Sequence, residues 1–246
     1  MKKAITATFA ITLLIATYAT VYSPAEAQIF AAITINPNGT ITPPTAPITQ
    51  NQNTYTLTAN IYGNITIQKS NIIFDGATNT IYYDKDQWYA LLLDQVCNVT
   101  VKNVVITGTY MGLHLNYTDN STITNNTISN NRADGIFIYG KCSGNTIAGN
   151  IVTNTTRGAG IGSTLYAPSR NNTIIENKVI GNQWGIQINT ATSEGITVTE
   201  NQIESNKIGI NFGPVTLFMS QIHFMQITES TTTISSTTLK TLQIQP

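Results

Sequence analysis

Hydrophobic and polar residues alternate in short stretches along the middle of the chain. Three of these stretches are Ile136-Phe137-Ile138, Ile186-Gln187-Ile188 and Ile210-Asn211-Phe212. A period of two puts successive side chains on opposite faces of a β-strand, so the outer residues of each triplet point to a core and the middle residue points outward. The repeat region has no sustained apolar stripe of helical period. The pattern therefore predicts many short strands joined by turns.

A repeat organises these strands. A threonine followed by a branched apolar residue recurs in steps of 22, 24, 27 and 24 residues, and each copy continues to an asparagine and then to a glycine followed by an apolar residue. The threonines are Thr100, Thr122, Thr146, Thr173 and Thr197, and the glycines are Gly112, Gly135, Gly160, Gly185 and Gly209. The fixed order and spacing indicate one structural unit that is copied along the chain.

A unit of about 24 residues cannot bury a two-sided core alone, but a coil of three short strands can stack on an identical coil. Each strand then pairs with its counterpart about 4.8 Å away. We expect an all-β parallel solenoid of about six to seven coils over residues 55–213. A leucine-rich repeat is the alternative at this length, but the chain has 12 Leu against 35 Ile.

The recurring asparagine gains a structural role in such a stack. At the same turn of every coil, its amide can bond to the amides above and below and to buried backbone groups. The predicted ladder consists of Asn103, Asn126, Asn150, Asn177 and Asn201. We expect the repeated glycines to permit tight turns, with positive φ in at least some coils.

The two ends of the repeat region differ from it. Residues 28–54 contain the proline-rich stretch Pro43-Pro44-Thr45-Ala46-Pro47, which predicts an extended segment that caps the first coil. After Gly213 the repeat fails, so residues 214–246 form an irregular tail. We consider two explanations for it, a divergent cap and the product of a frameshift.

Residues 1–27 have the pattern of a secretory signal peptide. Lys2 and Lys3 precede an apolar run, and the segment closes on Ala25-Glu26-Ala27, a small-x-small cleavage pattern. We expect a helical leader here, and the alternative is an uncleaved membrane anchor, because the run is close to the length that spans a bilayer. Both interpretations place the remainder outside the cytoplasmic membrane, secreted, periplasmic or on the cell surface.

The composition is polar without being charged. The chain of 246 residues has 12 acidic and 12 basic side chains and no net charge, and its polarity comes from amides and hydroxyls. Without a basic field the protein is not expected to bind nucleic acid. The β-branched excess favours strands over disorder.

The repeats resemble a known family. Asn172-Thr173-Ile174-Ile175-Glu176-Asn177 and Asn71-Ile72-Ile73-Phe74-Asp75-Gly76 are similar to the right-handed parallel β-helix repeats of NosD-type proteins, and the stretch from Ile35 to Ile48 resembles archaeal members especially. The resemblance covers roughly residues 34–213. It implies a right-handed parallel β-helix, and it suggests an extracytoplasmic accessory role in copper delivery or a surface role. The matched positions build coils, so the resemblance is specific for fold and weak for function.

Copper is the first hypothesis that the resemblance raises. Met111 and His114 flank a turn, and His114 occupies an outward strand position, which makes them weak candidates for a metal site. Copper sites gather several His, Cys or Met side chains, and this chain has few. The others are Cys97, Cys142, Met219, His223 and Met225. We therefore expect no resident metal or other cofactor, and we expect unpaired, buried thiols.

Polysaccharide processing is the second hypothesis, because enzymes on this fold degrade or epimerise polysaccharides. Glu176 and Glu200 precede the ladder asparagine in successive units and are weak candidates for a catalytic pair. A solvated turn explains them more simply, and the same holds for Asp134 before Gly135.

A non-catalytic surface that binds carbohydrate is the hypothesis that we favour. The outward positions form a stripe of aromatic and amide side chains, which suits sugar stacking and hydrogen bonding. The stripe comprises His114, Phe137, Gly162, Gln187 and Asn211, flanked by Tyr139 and Trp184. An irregular insert adds Tyr83, Asp84, Asp86 and Trp88 as further candidate binding residues, with a covering loop as the alternative.

Glycosylation is a further role for the wealth of Asn and Thr. Acceptor sequons occur at Asn38, Asn64, Asn98, Asn116, Asn120, Asn125, Asn154 and Asn171. A repeat built of Asn and Thr creates some of them inevitably. From the favoured hypothesis of a carbohydrate-binding surface, the expected partners are polysaccharide or cell-surface glycans.

Overall fold

The protein is a parallel β-solenoid, as the repeat predicts. The computed structural model describes residues 32–83, 88–164, 169–189 and 196–211, together with the backbone of residues 28–29, 165, 190, 212 and 234–235. This part of the chain is all-β, and its strands form three sheets that run the length of the solenoid. No helix with the length and apolarity needed to cross a bilayer occurs among these residues.

Each sheet collects the corresponding strands of successive coils. Sheet 1 contains β4 (Ile48–Asn51), β5 (Thr54–Leu57), β8 (Ile72–Asp75), β11 (Val99–Lys102), β14 (Thr122–Thr124), β17 (Thr146–Ala148), β20 (Thr173–Ile175) and β23 (Thr197–Thr199). Sheet 2 contains β1 (Gln28–Ile29), β6 (Ile61–Tyr62), β9 (Thr80–Tyr82), β12 (Val105–Thr107), β15 (Thr127–Ser129), β18 (Ile151–Thr153), β21 (Lys178–Ile180) and β24 (Gln202–Glu204). Sheet 3 contains β2 (Ile33–Ile35), β3 (Ile41–Thr42), β7 (Ile65–Ile67), β10 (Leu91–Asp94), β13 (Leu113–Asn116), β16 (Ile136–Tyr139), β19 (Ala159–Leu165), β22 (Trp184–Thr190), β25 (Ile208–Phe212) and β26 (Ile234–Ser235).

The chain passes through the three sheets in the same order in every coil. Coil 1 consists of β5, β6 and β7, and the same triplet recurs up to coil 7, which consists of β23, β24 and β25. Strands of successive coils pair in parallel and in register, for example Ile136 with Leu113 and with Ile161. Equivalent side chains therefore form columns along the solenoid axis.

The core consists of the inward columns. Alternate residues are buried in strands such as β13 and β16, as the period of two predicts, whereas three successive leucines are buried in β10. One inward column of sheet 3 consists of Ile33, Ile65, Leu91, Leu113, Ile136, Ile161, Ile186 and Ile210, all at most 1% exposed. Each such side chain contributes about 1.5–3 kcal/mol by leaving water.

The predicted asparagine ladder exists at the corner between sheets 1 and 2. Asn126 donates through Nδ2 to Asn150 Oδ1 over 3.0 Å, Asn150 donates to Asn177 over 2.9 Å, and Asn177 donates to Asn201 over 2.9 Å. The prediction is wrong for Asn103. Val104 occupies that ladder position and donates its backbone N–H to Asn126 Oδ1, whereas Asn103 lies one residue earlier and donates to Asp75.

Two further ladders lie at the other corners. Between sheets 2 and 3, Asn182 Nδ2 donates to Asn206 Oδ1 over 2.9 Å, and between sheets 3 and 1, Asn145 Nδ2 donates to Asn172 Oδ1 over 3.1 Å. The residue before each ladder asparagine commonly has positive φ, which turns the chain into the next sheet. Every corner thus uses the same device, a left-handed residue followed by a buried amide.

The repeated glycines serve a different purpose from the predicted one. Gly112, Gly135, Gly160 and Gly185 do not have positive φ. A Cβ at Gly135 would lie 2.4 Å from Val152 Cγ1 and 2.7 Å from Gly160 O, and a Cβ at Gly185 would lie 2.4 Å from Gly209 O. These positions require glycine because the next coil and the core leave no space for a side chain.

Residues 28–54 add strands to all three sheets, and two of these strands form the N-terminal edges of sheets 1 and 3. β1 and β2 pair in parallel with β6 and β7, so residues before 54 already join the solenoid pattern. β3 and β4 are antiparallel to their neighbours and are the last strands of their sheets. Tyr55 is buried and donates its hydroxyl to Gly39 O over 2.9 Å. The expected leader at 1–27 and the interpretation of the tail at 214–246 lie outside the described residues, apart from the backbone of β26.

Candidate functional site

The outward stripe predicted from the sequence lies on sheet 3. His114 pairs with Phe137, Phe137 with Gly162, Gly162 with Gln187, and Gln187 with Asn211. The side chains of Phe137 and Gln187 are half-buried, as expected for residues on the outer face of a sheet. We call the outer face of β13, β16, β19 and β22 the platform.

Tyr139 and Trp184 extend the platform on either side of the stripe. Tyr139 is aligned with Asn116 on one neighbouring strand and with Thr164 on the other, and Trp184 is aligned with Ala159 and Ile208. The Phe137 and Tyr139 rings lie 5.9 Å apart, and an exposed Tyr117 lies 6.4 Å from Tyr139. Register thus brings Tyr117 of coil 3 close to Tyr139 of coil 4, whereas Trp184 lies two coils farther along.

His114 is enclosed by aromatic rings. Its ring lies 5.3 Å from that of Phe137, 6.0 Å from Tyr139 and 6.3 Å from Tyr89. Nε2 is buried and has no hydrogen-bond partner. Burial lowers the pKa of His114 to about 4, against the opposing influence of the Asp94 charge. His114 is therefore neutral at physiological pH.

Small residues on β19 leave room for a carboxyl group. A Cβ at Gly162 would lie 2.9 Å from Asp134 Oδ1, so the Asp134 side chain reaches over this strand. Asp134 Oδ1 accepts a hydrogen bond from the Ala159 N–H over 2.7 Å. Burial raises the pKa of Asp134, and this hydrogen bond opposes the rise. Ala159 and Gly162 are buried, because the Asp134 side chain covers this part of the platform.

The other carboxylate on this face is far from Asp134. Asp94 accepts hydrogen bonds from Asn116 over 2.9 Å and Gln68 over 3.3 Å. It belongs to the column of Tyr139, whereas the Asp134 carboxyl lies near Gly162, two residues back along the strand direction and three strands away. At about 4.8 Å per strand this separation is roughly 14 Å across the sheet alone.

Glu176 and Glu200 lie elsewhere. They occupy equivalent positions in successive coils, as predicted, at the corner between sheets 1 and 2, and both are exposed. Both have a φ of 55°, the left-handed conformation that precedes a ladder asparagine. Their geometry is that of turn residues, away from the platform.

The insert contributes to two places. Tyr83 lies 5.3 Å from Tyr62 of sheet 2, and Trp88, which is 66% exposed, lies 5.3 Å from Tyr110. Asp84 and Asp86 lie outside the described residues. The sequence could not show that the ends of this insert contact different coils.

The metal donors of the described chain are scattered. No group of three or more His, Cys, Asp or Glu side chains is placed to hold a metal ion among the residues that the structure describes. Cys97 and Cys142 are free thiols, and only Cys142 is buried, so the expectation of buried thiols fails for Cys97. His114 on β13 and Met111 in the preceding turn supply one imidazole and one thioether, which does not fit a copper centre.

The glycosylation sequons differ in accessibility. Asn64 is 5% exposed, which is incompatible with modification in the folded protein. Asn98, Asn120, Asn125, Asn154 and Asn171 are exposed turn residues with positive φ. Glycosylation stays a prediction for these positions.

Of the comparisons with known proteins, the family model identifies the family of this chain. No curated protein matches the chain. Among solved structures, the Agl-KA catalytic domain is similar over 70% of this chain, with 19% sequence identity and a TM-score of 0.46, and the match spans 39% of that chain. The family model for the periplasmic copper-binding protein NosD matches residues 45–229. The chain therefore belongs to the NosD family of β-helix repeat proteins.

Proposed function

We propose that this protein is an exported carbohydrate-binding protein that uses the platform as a non-catalytic binding surface. The observation that carries the proposal is the set of half-buried aromatic and amide side chains on the outer face of sheet 3, where Tyr139 is aligned with Asn116 and Phe137 is aligned through Gly162 with Gln187. Ring faces pack against the apolar faces of sugars, and amides hydrogen-bond to hydroxyl groups. The outer face of a sheet suits a polysaccharide chain better than a small molecule, which prefers a concave pocket.

The arrangement of carboxylates supports binding without catalysis. Glycosidases place two carboxyl groups about 5–10 Å apart across the scissile bond. Asp134 and Asp94 are much farther apart, and Glu176 and Glu200 belong to another corner of the solenoid. Polysaccharide processing is therefore a less favoured function for the platform than binding without catalysis.

A copper-accessory role is the other alternative, and the family description favours it. The described donors do not fit a copper centre, so such a role would depend on donors outside the described residues, where His223, Met219 and Met225 lie. Titration of the full chain with Cu(I) and Cu(II) tests this alternative. Tight stoichiometric binding that survives His114→Gln would favour it over carbohydrate binding.

Export is part of the proposal. The family is described as periplasmic, and residues 1–27 have the pattern of a cleavable leader. N-terminal sequencing of the protein recovered from the native host tests cleavage near Gln28.

The binding experiment uses an array of neutral and acidic oligosaccharides with the full chain. We expect Phe137→Ala and Trp184→Ala to weaken binding about tenfold each, because each removes about 1.4 kcal/mol of ring contact. Tyr62→Ala is the matched control, since it removes a half-buried ring from the outer face of sheet 2. Equal losses in all three variants, or no binding to any glycan, would contradict the proposal.

Catalysis is tested on every glycan that binds. Reducing-end and unsaturated-product assays should show no turnover. Turnover that Glu176→Gln or Asp134→Asn abolishes would replace the binding function with an enzymatic one.

A further inference from the structure

One exposed column follows the corner between sheets 2 and 3. Backbone hydrogen bonds align its residues coil by coil: Met111 N donates to Trp88 O, Ala133 N to Tyr110 O, Arg157 N to Arg132 O, and Ile208 N to Gln183 O. The column consists of Trp88, Tyr110, Arg132, Thr156, Gln183 and Lys207, one residue from each of coils 2 to 7. Five steps of about 4.8 Å make it about 24 Å long. We call it the corner track.

The first half of the corner track is aromatic and cationic. The Trp88 and Tyr110 rings meet edge to face at 5.3 Å, and Arg132 Cζ lies 6.0 Å from the centre of the Tyr110 ring. Trp88 is the most exposed large hydrophobic residue of the described chain. These contacts hold an exposed ring and an exposed guanidinium side by side.

A local insertion adds a second guanidinium. In each coil a short segment joins the ladder position at this corner to the repeated glycine. It runs from Asn182 to Gly185 in coil 6, which are three residues apart, and from Thr155 to Gly160 in coil 5, which are five apart. The longer segment in coil 5 carries Arg157, next to Thr156 of the corner track. Arg157 is exposed, and within the described part of the chain its side chain makes no ion pair or hydrogen bond.

The second half of the corner track borders a polar groove. The groove has a volume of about 510 Å³ and is lined by equivalent residues of coils 5, 6 and 7, which in coil 6 are Gly181, Asn182 and Gln183. Gly181 has a φ of 69°, and its lack of a side chain keeps the space next to Asn154 open. A Cβ at position 181 would lie 2.8 Å from Asn154 Oδ1. Lys207 lines the groove in coil 7.

None of the described carboxylates forms an ion pair with the cations on and beside the corner track. Arg132, Arg157 and Lys207 are exposed, and the ion pair found among the described residues, Lys102 with Asp75, lies elsewhere. Of the nearby carboxylates, Asp134 is bound to the Ala159 N–H and Glu204 accepts a hydrogen bond from Gln202. In a chain without net charge, this local excess of cations favours an anionic ligand.

We infer that the corner track binds an acidic polysaccharide whose chain runs along the solenoid axis. Trp88 and Tyr110 provide ring faces for sugars, the two arginines provide planar forks that match carboxylate or sulfate groups, and the groove provides amides and hydroxyls. A nucleic acid or a lipid headgroup fits less well, because three cations over about 24 Å are sparse and alternate with sugar-binding groups. The inference rests on the proposed carbohydrate binding and assigns both the charge class of the glycan and a second surface that it contacts.

The test measures binding of the full chain to polygalacturonate and to its fully methyl-esterified form at low and high salt. We expect the acid form to bind at least tenfold more tightly than the ester, and the difference to shrink as salt screens the charges. The double variant Arg157→Ala/Lys207→Ala removes two of the three cations and should lose most of this difference while it retains ester binding. Lys141→Ala, an exposed cation at another corner, is the matched control and should behave as the wild type.

The outcomes separate the two proposals. Equal binding of acid and ester, or a preference that the double variant retains, would overturn the inference while the proposed function stands. Binding of neither polymer, together with no binding on the glycan array, would remove both. Binding of single-stranded DNA or anionic phospholipid vesicles as tight as that of polygalacturonate, and lost in the same double variant, would show that the class of ligand is wrong.

Discussion

Asn150 and Asn177 are joined by two hydrogen bonds in successive coils. Asn177 Oδ1 accepts from Asn150 Nδ2 over 2.9 Å and from the Asn150 backbone N–H over 3.0 Å. Asn150 Nδ2 also donates to Ile123 O over 2.9 Å, so one side chain connects three coils. Both asparagines are almost fully buried, where a group without a partner is expensive.

Replacing Asn150 by Ala should therefore destabilise the fold strongly. The substitution leaves the Asn126 N–H and the Ile123 carbonyl without their partners, at about 1–3 kcal/mol each. We expect a loss of about 3 kcal/mol in the free energy of unfolding, measured by urea denaturation. Asn103→Gly, outside the ladder and with its positive φ preserved, is the control and should cost less. Equal losses would show that the ladder does not stabilise the protein specifically.

Gly135→Ala should also destabilise the protein, for steric reasons. Its Cβ would meet Val152 and the Gly160 carbonyl at distances well below contact, so the coils must separate or shift. Gly108→Ala is the matched control, because its Cβ would meet nothing within 4 Å although its φ is 71°. We expect about 1 kcal/mol for the control, from the left-handed conformation, and more for Gly135→Ala. The reverse order in urea denaturation would contradict the packing argument.

The sequence predicted the solenoid because its signals are local. The alternation in Ile136-Phe137-Ile138 and the recurrence of Asn126, Asn150 and Asn177 depend on residues close together or at one fixed spacing. The other two ladders follow the same logic at an offset of five residues, as in Asn172, Asn177 and Asn182. They were missed because Ser121, Val99 and Thr155 replace asparagine at some of their positions.

The candidate site was only partly predictable. The outward stripe follows from register, but the burial of His114 depends on three rings from the two neighbouring coils. The corner track depends on which turn residues the stacking of the coils aligns, and the position of Arg157 depends on the longer segment of coil 5. Such alignment is a property of the folded stack, and no single repeat contains it.

The two thiols should differ in reactivity. Cys97 is exposed, whereas Cys142 is buried and accepts a hydrogen bond from the Thr118 N–H over 3.3 Å. Burial raises the pKa of Cys142 to about 11, which suppresses the reactive thiolate. We expect one thiol per chain to react with Ellman's reagent in the native protein and two in denaturant. A native Cys97→Ser variant that still reacts rapidly would contradict this assignment.

Protonation of His114 should weaken the fold in mildly acidic solution. Its pKa is about 4 in the folded protein and about 6.5 in an unfolded chain, so the unfolded state takes up the proton first as the pH falls. Above pH 6.5 His114 is neutral in both states and does not lower the free energy of unfolding. Between pH 6.5 and about pH 4, protonation in the unfolded state lowers the free energy of unfolding progressively, by up to about 3 kcal/mol. Asp134 acts in the opposite sense, because its raised pKa favours the folded state at low pH.

The variant His114→Gln isolates this contribution, since Gln does not titrate in the range. The difference in unfolding free energy between the wild type and the variant should change in favour of the variant when the pH falls from 7.5 to 4.5, as measured by urea denaturation at both values. Asp134→Asn, measured in parallel, should shift the difference the other way. If the difference in unfolding free energy between the wild type and His114→Gln is the same at both pH values, His114 titrates normally in the folded protein. The aromatic rings around His114 then do not exclude water from its ring.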